Sequence, residues 1–232
     1  MINFFKFKNK FRFRRGIIEP KKHGRNTMTE REKMLAGKIY DPTDQELAER
    51  RTLAHNLNTK YNATLESDEQ TRTEILDKLL PNRKKGAYLQ GPVYFDYGDN
   101  TFVGENFYAN FHFTVLDVCP VHIGDNVMIG PNVSLYTAMH PLRWQQRNTR
   151  TRADGSAYDY EYAKPIRIGN NCWLAGNVTV CGGVTIGDGC VIGAGSVVTR
   201  DIPPNSLAVG NPCRVIRQIT ETDRIENLED IL

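Results

Sequence analysis

From Ile168 to Val198 an aliphatic residue recurs every six positions, at Ile168, Leu174, Val180, Ile186, Ile192 and Val198. A small residue follows five of them: Gly169, Ala175, Cys181, Gly187 and Gly193. An α-helix repeats at 3.6 residues and a strand at 2, so a strict period of six belongs to neither. It is the period of a parallel β-helix, where each hexapeptide makes a short strand and a tight corner. The aliphatic side chain points into a prism, and the small residue beside it lets the chain turn. Three hexapeptides close a triangular coil, and coils stack at about 4.8 Å, the ordinary interstrand distance. A β-sandwich would need the phase to drift over such a stretch, and it does not. The fold class predicted is mainly β, a parallel β-helix.

The same phase runs upstream through Val103, Ala109 and Val115, then Ile123, Ile129 and Leu135. The coil domain is expected over 86–213, with Gly91-Pro92 near its opening and Asp201-Ile202-Pro203-Pro204 at its close. An excursion at 139–164 breaks the period. Its Arg143, Arg147, Arg150, Arg152, Gly155, Tyr158 and Tyr160 are too polar for a core, so it loops into solvent, where repeat folds often build binding surfaces. Beyond it all, 214–232 form a C-terminal tail, strand-like at Val215-Ile216 and weakly helical after that.

Before the coils, residues 28–85 read as helices. Thr29 and Glu32 have capping-box spacing. Asp44 caps a segment with Leu47, Ala48, Leu53 and Leu57 at helical spacing, and a third segment runs from Asp68 to Leu80, stopped by Pro81. Their apolar faces need a partner, and the open end of the prism needs a cap, so the two are predicted to pack together.

Five cysteines, an odd number with no C-x-x-C pair, suggest neither a disulfide framework nor a zinc site. Cys181 and Cys190 occupy positions suited to a small buried residue. No apolar run reaches a membrane span and no signal core precedes a cleavage site, so the reducing cytoplasm is the expected compartment. The net charge of +3 hides an asymmetry: residues 1–27 hold nine Lys/Arg and one acid, leaving the other 205 residues at −5. Basic residues interleaved with aromatics in 1–27 suit nucleic acid or an anionic membrane surface. A disordered leader is a second reading. A third is that 1–27 is translated leader, because Met28-Thr29-Glu30-Arg31-Glu32 resembles a protein start. For the folded domain neither nucleic acid nor membrane is expected as a partner.

His140, at the root of the excursion and ahead of Pro141, is a candidate general base. Taken alone, a structural or solvated histidine is the commoner case. Asn110, Asp117 and Glu161 are polar candidates nearby, and the aromatics around Tyr94–Tyr97 and Phe107–Phe111 suit either sugar faces or packing on the cap.

Several motifs in order then carry a resemblance: Asn106-Phe107-Tyr108-Ala109-Asn110-Phe111, Ala138-Met139-His140-Pro141, Lys164-Pro165-Ile166, Asn171-Cys172-Trp173, and Val191 to Ser196 with Asp201-Ile202-Pro203-Pro204. The chain resembles the maltose/galactoside O-acetyltransferase family over roughly 28–219. The resemblance implies a left-handed parallel β-helix, an exception to right-handed crossovers, and a homotrimer with active sites between neighbouring subunits. It implies acetyl-CoA as the donor, a sugar hydroxyl as the acceptor, and no metal. His140 matches the catalytic base; Asn110 and Glu161 match residues that orient it or the acceptor. Asp41, Asp96, Tyr108 and Asp117 match acceptor-side positions, and Trp173, Gly176, Ala194, Thr199, Arg200, Arg214 and Arg217 match positions that hold coenzyme A. Two departures stand out: a Thr149–Tyr158 insertion rich in arginine, and Ala175 at a commoner glycine.

Other readings of the same scaffold are an N-acetyltransferase for an amino sugar or a xenobiotic, a zinc carbonic anhydrase using His112, His122 and His140, and a non-catalytic trimeric scaffold. Acceptor competition, stoichiometric zinc and acetyl-CoA binding, respectively, separate them from O-acetylation.

Overall fold

The structure is a computed structural model that describes residues 28–226. The readings of 1–27 and of the last six residues lie outside the described residues.

Strands stack into three parallel faces, and the chain visits the faces in turn. The first face holds Thr101–Val103, Val121–Ile123, Ile166–Ile168 and Thr185–Ile186. The second runs from Tyr88–Leu89 through Tyr108–Ala109, Met128–Ile129, Trp173–Leu174 and Val191–Ile192 to Ser206–Val209. The third holds Val93–Phe95, Phe113–Leu116, Ser134–Tyr136, Thr179–Cys181 and Val197–Val198. Ile168 pairs with Ile186, Leu174 with Ile192 and Val180 with Val198, so three hexapeptides do make one coil. All six of these repeat residues are buried, at 3% exposure or less. The first coil opens at Tyr88, ahead of the cis Gly91-Pro92 bond, which lies within it. The antiparallel strand Arg214–Gln218 closes the second face, and among the described residues of the tail the short 3-10 turn Glu221–Asp223 follows it.

The corners show why a six-residue repeat tolerates so many asparagines. Asn106, Asn126, Asn171 and Asn205 all have φ near +55°, a left-handed conformation that asparagine tolerates because its short side chain hydrogen-bonds locally. The Asn106 amide donates to Asn126 at 3.1 Å, and Asn126 donates to Asn171 at 3.3 Å, so the corner is a stacked ladder.

Of the cysteines, Cys172 and Cys190 fill the inward positions and their thiols donate to the Gly187 and Pro203 carbonyls, both at 3.1 Å. Cys181 is only half-buried, because in its strand Val180 takes the inward position.

Among the described residues three helices precede the coils. Helix α1 (Glu30–Leu35) carries the reciprocal Thr29–Glu32 capping box, α2 (Gln45–Asn62) is capped by Asp44, and α3 (Glu69–Leu79) is capped by Asp68. Ala54, Leu57, Tyr61, Leu76 and Leu79 from α2 and α3 join the core of the prism, closing its open end. The strand edge exposed at that end is satisfied by asparagine side chains. Asn58 donates to the Phe95 carbonyl at 2.7 Å and accepts from its N–H at 3.2 Å; Asn62 does the same with Val93 at 2.9 and 2.8 Å. Four residues of helix advance about 6 Å and two residues of strand slightly more, so the two amides act as an extra strand.

The excursion is a folded appendage. Ala138–Met139 pairs antiparallel with Tyr162–Ala163 at its root, and Arg150–Thr151 with Ala157–Tyr158 further out. A second, smaller core of Met34, Tyr40, Leu47, Tyr97, Val118, Cys119 and Ala163 joins this root to α1. Gly37, at φ +68°, lets the end of α1 approach so closely that an added Cβ would lie 2.8 Å from the Ala163 carbonyl oxygen. That approach positions the next residues, Tyr40 to Pro42, against the candidate site.

Candidate active site

At the corner between the third and first faces, Pro42, Arg51, Asp96, Tyr97, Val118, His140 and Glu161 line a pocket of about 260 Å³. His140 leaves the coil there, half-exposed, and its Nε2 lies 3.7 Å from Glu161 Oε1. That is an ion-pair distance, longer than a hydrogen bond. Glu161 is on the returning strand of the excursion and is well covered. Burial pushes its carboxyl above the usual range, and Asp96 and Asp159 add to the rise. A hydrogen bond from Tyr40 and the charge of His140 pull it back. The Tyr40 hydroxyl donates to Glu161 Oε2, while the two backbones bond each other at 3.0 and 3.2 Å.

Asp96 also lines the pocket, and one oxygen lies 3.3 Å from His55 Nε2 of α2. Two expected acceptor-side residues are placed otherwise. The side chain of Asp117 is fully buried: it accepts from the Tyr97 N–H at 2.9 Å and from the Thr101 hydroxyl at 2.9 Å, and its pKa is raised to about 7, chiefly by burial. It has no surface for an acceptor; its neighbour Val118 lines the pocket instead. Asp41 gives one oxygen to the Thr43 N–H and hydroxyl and the other to Arg152, and the pocket is lined by its neighbour Pro42. In both cases the residue one position along faces the pocket.

The remaining expected residues lie elsewhere on the prism. Tyr108 is on the second face, stacked on Tyr88. Asn110, Gly176 and Ala194 are at the corner between the second and third faces, where the Asn110 side chain accepts from the Phe111 N–H at 2.7 Å. Trp173 projects from the second face, half-exposed. Thr199 and Arg200 are exposed at the last corner; Arg214 and Arg217 are exposed on the closing strand. Arg217 is already paired through both terminal nitrogens with Asp223, at 2.8 and 2.6 Å. Within one chain, then, His140, Glu161 and Asp96 come together, and Asn110 and the expected coenzyme residues do not join them.

Sequence reasoning missed Tyr40, Pro42, Arg51 and Val118, and offered Tyr97 only among the aromatics suited to a sugar face or to the cap. None carries a periodic signal that points to a site. Among the three histidines weighed for zinc, His112 is at the second corner, His122 stacks on Phe102 on the first face, and His140 is at the third. Among the described residues no three His, Cys, Asp or Glu side chains form a metal-binding group.

A prism of stacked hexapeptide coils closed by a helical cap places the chain in the class of hexapeptide-repeat transferases. The maltose acetyltransferase hexapeptide capping motif matches residues 33–83, which form the helical cap, and the six-repeat bacterial transferase hexapeptide matches residues 165–200. Galactoside O-acetyltransferase of Escherichia coli (strain K12) is 42% identical over 85% of this chain and 92% of its own length. The crystal structure of a maltose O-acetyltransferase from Clostridium difficile 630 is 48% identical, with a TM-score of 0.76 over 84% of this chain and all of that one. A galactoside acetyltransferase solved in complex with coenzyme A is 41% identical, with a TM-score of 0.77 over 85% of this chain and 94% of that one. The chain belongs to the maltose/galactoside O-acetyltransferase family.

Proposed function

We propose that this chain transfers the acetyl group of acetyl-CoA to a sugar hydroxyl, with His140 as general base. The observation that carries the reading is the His140–Glu161 pair, 3.7 Å apart in a pocket shared with Asp96. The relatives' names and the coenzyme A complex of one of them support the donor and the acceptor class.

A sugar hydroxyl is a poor nucleophile at neutral pH. The imidazole of His140 takes its proton as the oxygen bonds to the thioester carbonyl carbon, and the Glu161 carboxylate stabilises the imidazolium that forms. The carbonyl oxygen becomes an oxyanion and needs a donor already in place. The Gly176 N–H, which meets no backbone acceptor among the described residues, is our candidate. Collapse of the tetrahedral adduct expels coenzyme A as its thiolate, which takes the proton from the His140 imidazolium to give the thiol and restore the neutral base.

His140 and Gly176 sit at different corners of one prism, so the reaction requires a second copy. We read the assembly as a homotrimer in which the His140 corner of one subunit meets the Asn110, Trp173 and Gly176 side of the next. The half-exposed outward column of Tyr88, Met128 and Trp173 on the second face supports that contact. Arg200, Arg214 and Arg217 then offer cations for the coenzyme's phosphates. No helix among the described residues is long and apolar enough to cross a membrane, and we place the enzyme in the cytoplasm.

The test is a free-thiol assay with acetyl-CoA and a panel of maltose, glucose, galactosides and glucosamine. Turnover on a sugar without an amine is expected, and turnover on amines alone would move the enzyme to N-acetylation. General-base catalysis contributes about 10²–10⁴-fold, so His140→Ala is expected to lose that much; a loss under about tenfold would remove His140 from the role.

A further inference from the structure

Glu161 reaches its place through contact with a residue of the helical cap, 121 positions earlier in the chain. Its two oxygens have separate neighbours: Oε2 accepts from the Tyr40 hydroxyl, and Oε1 faces His140. Tyr40 itself is 1% exposed, locked in the small core with Met34, Leu47, Tyr97 and Val118. Its backbone is tied to that of Glu161 in both directions. A carboxylate free to rotate could present either oxygen, or neither, to the imidazole. One held by a buried phenol cannot.

We propose that Tyr40 is a positioning residue for the acetyl transfer, holding Glu161 so that its second oxygen is directed at His140. This rests on the general-base reading above and gives that base a fixed partner.

The charges around the pair come from every element packed against it. Helix α2 supplies Arg51, which donates to the Tyr97 hydroxyl at 3.1 Å, and His55, beside Asp96. The coil corner supplies Asp96 and Tyr97, with Asp117 behind the Tyr97 N–H. The excursion supplies His140 and Asp159, whose Oδ1 is buried without a hydrogen-bond partner among the described residues. Burial, then the neighbouring Glu161, push the Tyr40 phenol far above its usual range, so it stays a donor across the working pH range.

Replacing Tyr40 with phenylalanine removes a donor that stabilises the carboxylate, so the pKa of Glu161 rises. Activity needs Glu161 ionised to stabilise the imidazolium, so the loss of the Tyr40 hydrogen bond moves the acid limb of kcat/KM to higher pH.

The experiment compares full-length Tyr40→Phe, Glu161→Gln and the double variant with the parent, using the free-thiol assay across pH and thermal unfolding as a check on folding. In Tyr40→Phe the acid limb is expected to rise by roughly half a pH unit or more, with kcat reduced and KM for acetyl-CoA unchanged. In the Glu161→Gln background, Tyr40→Phe is expected to move nothing further. Should Tyr40→Phe fold poorly, 3-fluorotyrosine at position 40 is a stronger donor of the same shape, and it is expected to move the limb to lower pH. An unmoved limb in a folded Tyr40→Phe or fluorotyrosine protein overturns the proposal while His140→Ala still abolishes activity. Activity surviving in His140→Ala overturns the general-base reading itself.

Discussion

The Arg152 guanidinium closes on the Asp41 carboxylate, linking the excursion to the helical cap across 111 residues of sequence. The same arginine donates to the Ser156 hydroxyl and the Ala157 carbonyl at 3.1 Å and lies over the Tyr158 ring, 4.7 Å from its centroid. Arg150 lies similarly over Tyr160. The arginines of the insertion, read from the sequence as a polar, solvent-facing run, here fasten it down.

Since this ion pair is partly exposed, its contribution to global stability is about 0–1 kcal/mol. Arg152→Ala is therefore expected to leave the melting temperature nearly unchanged while raising KM for the acceptor several-fold. Limited proteolysis within 139–164 should become faster. Cleavage at the parent rate would show that the pair does not restrain the excursion.

Asp117 makes a separate prediction about pH. Its folded-state pKa of about 7 lies above the ordinary 3.8, so between these values the folded chain holds a proton that the unfolded chain has released. Stability conferred by that proton is complete below the unfolded value and is lost as pH rises toward 7. Asp117→Asn can keep both hydrogen bonds, accepting from Tyr97 and donating to Thr101. It is expected to remove this part of the decline in melting temperature between pH 4 and 7 and to retain most activity. Loss of activity in a folded Asp117→Asn protein would instead place the carboxylate in contact with the acceptor.

The two asparagine amides of α2 on the strand edge predict where the cap is held. Asn58→Ala strands the buried N–H and carbonyl of Phe95, and an unpaired buried group costs about 1–3 kcal/mol. Denaturant titration should show a loss of that size, with KM for both substrates unchanged in the protein that remains folded. A change below about 0.5 kcal/mol would mean that water replaces the amide at this edge.

Much of the fold was legible because its cause is local. Leu174 and Ile192 face inward for the same reason, an aliphatic residue beside a small one at a corner, and that reason is written within six residues. The helix caps Thr29 and Asp44 are equally local, and each caps the helix it was expected to cap; Asp68, expected only to open the third segment, caps that one. His140 was visible as a polar residue at the break in the period. Asp41 and Asp117 were harder, since matching a motif fixes a position in the chain but not the direction of a side chain. At a corner one step along the chain turns that direction from pocket to core, which is why Val118 faces the pocket and Asp117 the interior.

By itself, then, the sequence determined the coil, its period, the cap and the place where the coil is interrupted, because these follow from short-range steric and hydrophobic patterning. Only the tertiary structure decided that Tyr40 holds Glu161, that Arg152 holds Asp41, and that Asn110 and His140 stand at different corners. Those relationships depend on how stacked coils bring residues tens of positions apart to the same height and side of the prism. No local pattern encodes which of two oxygens a distant hydroxyl will take.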